Sequence, residues 1–239
     1  MKTAVVTGAS RGIGAAAARL LSAEGYRVAL NYCHSRERAE RIAAELPGSF
    51  AIGADVSDPE AVARMSEEVT RRFGTIDLLV NNAGIAQQKL FTDLSEQDWD
   101  RMFDVNVKGT FLTCRAFLPG MIRRKAGKII NISSIWGVAG ASCEVHYSAS
   151  KAAVIGLTKA LAKEVGPSGI TVNCIAPGII QTDMNQALLP DVLDGLREET
   201  PLRRIGTPED VARTILFLAG VSGSFITGQV LGVNGGFVI

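Results

Sequence analysis

Tyr147 and Lys151 stand four residues apart in Tyr147-Ser148-Ala149-Ser150-Lys151. On a helix that spacing places both side chains on one face, about one turn apart. The residue types suit proton transfer. A phenol titrates near ~10 and neither gives nor takes a proton readily at neutral pH. A fixed ammonium beside it favours the phenolate and brings its pKa toward the working range. Ser134 lies thirteen residues before Tyr147, just after the apolar run Lys128-Ile129-Ile130-Asn131-Ile132, which reads as a buried strand. Its hydroxyl can hold a carbonyl oxygen for Tyr147 to protonate. Alone, Tyr-x-x-x-Lys is also the spacing of a surface lysine one turn from a half-buried tyrosine.

The elements that must position these groups begin at the N-terminus. Thr3 to Thr7 is a short β-branched run, followed by Gly8-Ala9-Ser10-Arg11-Gly12-Ile13-Gly14 and an alanine-rich helix from Ala15 to Glu24. A strand, a glycine-rich turn and a helix make a phosphate cradle: Gly8, Gly12 and Gly14 let the backbone at Ser10, Arg11 and Ile13 approach a pyrophosphate, and the helix N-terminus adds a favourable dipole. Arg27 to Tyr32 reads as the second strand. An acid at its end would hold the 2′-hydroxyl of NAD, but none occurs before Glu37. Arg11 and Arg36 can instead meet a 2′-phosphate by charge-assisted bonds, which favours NADPH. Arg36 also fits a solvated position at a helix start.

Composition narrows the class. The chain has 239 residues, 47% hydrophobic and 21% charged, with net charge +1; that suits one domain spanning residues 1–239 around a large core. The balanced charge points to no nucleic-acid partner, and no run approaches the ~18 apolar residues of a membrane span. No signal peptide is evident, so the chain reads as cytoplasmic. Four widely spaced cysteines and two histidines make a disulfide or a metal site unexpected. Strand-like and helix-like segments alternate to the end. The expected fold is therefore α/β: a Rossmann fold with a doubly wound, seven-stranded parallel sheet in order 3-2-1-4-5-6-7, helices on both faces.

Ser134 with Tyr147 and Lys151, the Gly-x-x-x-Gly-x-Gly turn, Asn81-Asn82-Ala83-Gly84 after the strand Ile76 to Val80, Pro177-Gly178, and Val233-Asn234-Gly235-Gly236 together resemble the short-chain dehydrogenase/reductase family. The resemblance covers essentially the whole chain and implies further roles. Asp55 and Val56 would face the adenine. Asn82, Ala83 and Gly84 would lie along the cofactor ribose, which Lys151 would also bind, beside Tyr147. Pro177, Gly178, Ile180 and Thr182 would meet the nicotinamide carboxamide. Asn106, inside the helical stretch from Ser95 to about Arg124, would bend the helix and support a water relay from Lys151. Residues of about 185–201 would form a substrate lid. Relatives usually carry Asp where this chain has Asn234. A homotetramer is implied, with Trp99, Phe103, Phe111 and Leu112 available for an interface or for the core.

The broad resemblance is to bacterial 3-oxoacyl-(acyl-carrier-protein) reductases, which reduce a β-ketoacyl thioester; Arg123 and Arg124 could dock the acidic carrier. Ser133-Ser134-Ile135-Trp136-Gly137 and Gly140-Ala141-Ser142-Cys143-Glu144-Val145 resemble, more narrowly, the elongation factor P 5-aminopentanone reductases. Glu144, three residues before Tyr147, would then favour a cationic substrate group. From another class, the fold could serve a non-catalytic NADPH-binding regulator.

Overall fold

The computed structural model describes residues 1–183 and 190–239. Seven parallel strands form one sheet: β1 (Thr3–Val6), β2 (Arg27–Tyr32), β3 (Phe50–Gly53), β4 (Leu78–Asn81), β5 (Gly127–Ile132), β6 (Ile170–Pro177) and β7 (Val230–Val233). Their order is β3-β2-β1-β4-β5-β6-β7, as the sequence pattern implies. Val5 of β1 pairs with Ala29 on one side and with Leu79 on the other. The chain reverses direction across the sheet between β1 and β4, so the loops after these strands open a crevice at their C-terminal ends.

Nine helices connect the strands among the described residues: α1 (Gly12–Ala23), α2 (Arg36–Glu45), α3 (Pro59–Phe73), α4 (Glu96–Phe103), α5 (Gly109–Arg124), α6 (Trp136–Ala139), α7 (Val145–Val165), α8 (Pro190–Glu199) and α9 (Pro208–Ala219). Because strand side chains alternate, each strand feeds two cores. Ala4, Val6, Leu78 and Val80 pack with Leu21 of α1 and Ile215 and Leu218 of α9. Val5, Leu79 and Ile129 pack with Val69 of α3, Phe117 of α5 and Val165 of α7. Local chemistry sets the starts of the helices. Asp58 accepts from the amides of Glu60 and Ala61 ahead of α3, and Thr207 and Asp210 form a reciprocal capping box at α9.

Several boundaries differ from the sequence reading. Helix α1 starts at Gly12 rather than Ala15, because the Ala15 amide already reaches the Arg11 carbonyl at 3.2 Å. Strand β4 extends to Asn81, whose side chain bonds sideways to Asn131 on β5 at 2.8 Å. The stretch from Ser95 to Arg124 is helical throughout, as expected, but a π-helical turn over Asp104–Lys108 joins α4 to α5. Leu112 belongs to the core at 4% exposure, whereas Trp99 and Phe111 are exposed. Of the expected lid, residues 185–189 lie outside the described residues, and the part from Pro190 to Glu199 is α8. No helix among the described residues is long and apolar enough to cross a membrane.

Candidate active site

The glycine turn is built by close approach. Gly8 has φ 63°, and a Cβ on it would sit 2.9 Å from Ala83 Cα. A Cβ on Gly14 would lie 2.6 Å from the Asn82 side-chain nitrogen. Asn82 Nδ2 donates to the carbonyls of Thr7 and Gly8 at 2.9 and 3.1 Å, and the Thr7 hydroxyl accepts from the amides of Asn82 and Ala83, both at 3.0 Å. The loops after β1 and β4 are thus one unit. A cavity of about 410 Å³ opens between Ser10, Arg11 and Gly12 on one side and Gln181, Thr182 and Asp183 on the other. Bare backbone at a helix N-terminus, facing such a cavity, is suited to phosphate.

Ser134, Tyr147 and Lys151 meet at the end of β5. All three are buried, at 7%, 8% and 5% exposure. The Ser134 hydroxyl accepts from the Trp136 amide at 3.1 Å, and its influence on the Tyr147 phenol is to lower the pKa. Lys151 Nζ lies 5.7 Å from the Tyr147 ring centroid and donates to the Ile132 carbonyl at 3.0 Å. Ser133 Oγ donates to the Lys151 carbonyl at 2.8 Å, which fixes α7 to the strand end. The electrostatics differ from the sequence expectation. Burial pushes the phenol up to about 12, Ser134 opposing and Glu144 adding, while burial pulls Lys151 down to about 8. Desolvation dominates both groups, because each has left water and its charged form is disfavoured there.

Asn106 sits in the π-helical turn and is 1% exposed. Its side chain accepts from the Ile85 amide at 2.9 Å and donates to the Ile85 carbonyl at 3.0 Å and to Ser150 Oγ at 3.0 Å. A Cβ on Gly84 would fall 3.1 Å from Asn106 Oδ1 and 3.2 Å from Lys151 Nζ, so the loop after β4, the π turn and Lys151 converge there.

A family model described as enoyl-(acyl carrier protein) reductase matches residues 8–238. The chain is 46% identical to the 3-oxoacyl-[acyl-carrier-protein] reductase of Staphylococcus epidermidis, over 98% of each chain. It is 46% identical to that of Staphylococcus aureus, over 98% of this chain and 97% of the relative. The enzyme of the same name from Aquifex aeolicus is 42% identical, over 98% and 96%. The chain belongs to the short-chain dehydrogenase/reductase family.

Within this short-chain reductase a second arginine of α2 joins Arg11 at the cationic end of the crevice. Arg36 is paired with Glu40 on its own helix at 2.7 Å. Arg38 meets Asp183 at 3.0 Å, and Arg11 meets the same carboxylate at 3.5 Å. Nothing in composition separates Arg36 from Arg38; only the helical phase of α2 turns one toward the glycine loop. Asp55 accepts from the amide and hydroxyl of Ser57 at 2.9 and 2.6 Å. Burial pushes its carboxyl up, but Ser57 and Arg101 outweigh that, and its pKa ends below the ordinary value. Val56 is buried, with a Cβ on Gly109 placed 2.8 Å from its Cγ2.

The segment after β6 closes the other side. The Gly178 amide donates to the Val233 carbonyl at 3.0 Å and the Ile135 amide to the Pro177 carbonyl at 3.0 Å. Ile180 is buried, and Thr182 lies beside Gly12, 3.3 Å from where a Cβ would be. Asn234 donates to the Val238 carbonyl at 2.8 Å and accepts from the Gly236 amide at 2.9 Å. An aspartate could do only the second, so the amide fits this reductase's C-terminal turn.

Glu144 precedes α7, half-buried, and accepts from Gln88 Nε2 at 3.1 Å; burial pushes its carboxyl up, Gln88 opposing. Sequence reasoning passed over Thr7, which joins two loops by its hydroxyl, and Arg38. It also passed over Gln87 and His146, whose contact spans 59 positions of sequence.

Proposed function

We propose that the chain is an NADPH-dependent ketoreductase that reduces a 3-oxoacyl thioester, carried on acyl carrier protein, to the 3-hydroxyacyl product. One observation carries the chemistry: two hydroxyl side chains, Ser134 and Tyr147, share a buried corner with Lys151, whose Nζ lies 5.7 Å from the phenol ring centroid. The names of the relatives support the substrate class.

The cofactor fits the chain's own groups. Gly8 and Gly14 have no space for a Cβ, so the turn packs closely against the loop after β4 and bare backbone faces the crevice, and Arg11 with Arg38 supplies positive charge for a 2′-phosphate. Bound NADPH supplies the hydride. Ser134 holds the substrate carbonyl oxygen and orients it. Tyr147 delivers its proton to that oxygen as negative charge develops there, which suits a phenol kept fully protonated by burial. Lys151 is tethered at Ile132, holds positive charge behind the phenol and stabilises the phenolate left after transfer. Asn106 fixes the loop that carries Gly84 beside Lys151 and supports the path by which the phenolate regains its proton.

A second reading, reduction of an aminopentanone group on elongation factor P, is favoured by the half-buried Glu144 three positions before Tyr147. The test is NADPH oxidation with acetoacetyl-CoA and, separately, with the modified factor. Turnover of the thioester supports the first reading. Selective turnover of the factor, lost in Glu144→Gln, replaces it with the second. NADPH binding without turnover of either refutes both. Tyr147→Phe should abolish turnover and keep NADPH binding.

A further inference from the structure

The residue before the tyrosine, His146, has 0% exposure. Its Nε2 lies 2.9 Å from Gln87 Oε1, while its Nδ1 is buried without a partner. Gln87 spends its other end on Asp98: Nε2 donates to Oδ1 at 2.8 Å. The second oxygen of Asp98 accepts from Lys89 Nζ at 2.7 Å and from Ser95 at the start of α4. These partners hold the Asp98 carboxyl well below the usual carboxylate range, the Lys89 bond most strongly.

The direction of every proton in this chain follows. An ionised carboxylate only accepts, so the amide nitrogen of Gln87 must face Asp98. Its oxygen must then face His146, and the imidazole must present Nε2–H to it. The opposite tautomer would set a lone pair against the Gln87 oxygen and bury an unpaired N–H at Nδ1. Burial also lowers the His146 pKa, with Asp98 opposing and Lys89 adding, which keeps the ring neutral. The same loop grips the start of α7 twice more, through Gln88 on Glu144 and through the Lys89 amide on the Cys143 carbonyl at 2.7 Å. Cys143 is held there at φ 61°.

We propose that Gln87 is a positioning residue for Tyr147: it holds His146 as the Nε2–H tautomer and so clamps the first turn of α7 to α4. The proposal rests on reading Tyr147 as the proton donor. Loss of the clamp lets the helix start shift, and misplacement of a reacting group by about 1 Å costs up to about a hundredfold in rate.

The chain has only two histidines, so ¹⁵N NMR of histidine-labelled protein resolves both rings, His34 being assigned by its loss in His34→Asn. His146 should show a protonated Nε2 and an unprotonated Nδ1 in the full chain. In Gln87→Met, of similar length and without the amide, the two nitrogen shifts should converge. In the same variant kcat should fall by between about tenfold and a hundredfold, with KM for NADPH unchanged. A protonated Nδ1 in the unsubstituted protein overturns the proposal, and that result does not depend on whether Gln87→Met folds. Unchanged kcat in Gln87→Met, or a loss matched by an equal weakening of NADPH, also overturns it. The NMR result stands apart from turnover, so an enzyme inactive on 3-oxoacyl thioesters would refute the functional reading and leave the tautomer measurement intact.

Discussion

Replacing Lys151 with methionine should destroy turnover and stabilise the protein. The ammonium is buried at 5% exposure, and burial pulls its pKa from 10.5 to about 8. At about 1.4 kcal/mol per pH unit, holding that charge in the fold costs on the order of 3 kcal/mol at neutral pH. Methionine keeps the length and the apolar stem but leaves the Ile132 carbonyl without its donor, a loss of about 1 kcal/mol. A net gain of about 2 kcal/mol raises Tm by about 4 to 8 °C in a chain of this size. The pH dependence has a definite sign. The folded state gives up the Lys151 proton near pH 8 and the unfolded state near 10.5, so wild-type stability climbs through that window. Lys151→Met has no such climb, and the gap between the two proteins should close from pH 8 to 10.5. Tyr147, pushed up to about 12, destabilises the fold above pH 10, but it is present in both proteins and its contribution cancels in the difference. Urea unfolding across pH 7 to 10.5 measures both curves. A variant less stable than wild type at pH 7, or a gap of constant size across the window, would refute the claim that desolvation dominates this lysine.

Three further outcomes follow from the site. Arg38→Ala should raise KM for NADPH about tenfold or more through the lost charged contact and leave KM for NADH alone, whereas Arg36→Ala should change neither. Gly14→Ala should remove NADPH binding in calorimetry, because its Cβ would force Asn82 away from the carbonyls of Thr7 and Gly8. Asn131→Ala should cost about 2 to 4 kcal/mol in urea unfolding, since Asn131 accepts from Asn81 and donates to Thr158 with no exposed surface at all.

The strands, the parallel sheet covered on both faces and the meeting of Ser134, Tyr147 and Lys151 were legible from local signals: apolar runs of strand length, glycines at a turn, a four-residue spacing on a helix; the strand order followed from the alternation only once the fold class was assigned. What escaped has a common character. That Arg38, about 200° around α2 from Arg36, meets Asp183 depends on the phase of the helix against the glycine loop, which helical propensity does not encode. The sign of the shift at Tyr147 depends on how completely the phenol itself is buried, and the type of a residue does not reveal its distance from water. Gln87 and His146 meet across 59 positions and carry no motif. Asn106 was marked by the family resemblance, but the extra residue that accommodates it was not, since a π turn has no composition of its own.

That turn has a consequence for length variation. A π-helical segment is in effect one residue inserted into an α-helix, and one residue carries about 100° of rotation and about 1.5 Å of rise. Asp104–Lys108 therefore sets a fixed angular offset between α4, which presents Asp98 and Met102, and α5, which presents Thr113 and Phe117. Deleting any single residue there would give a smoother and intrinsically better helix. It would also swing α4 through roughly a quarter turn relative to the sheet. The short-chain reductase thus stores its geometry in an irregularity: along this stretch the number of residues, more than their identity, decides what faces the crevice.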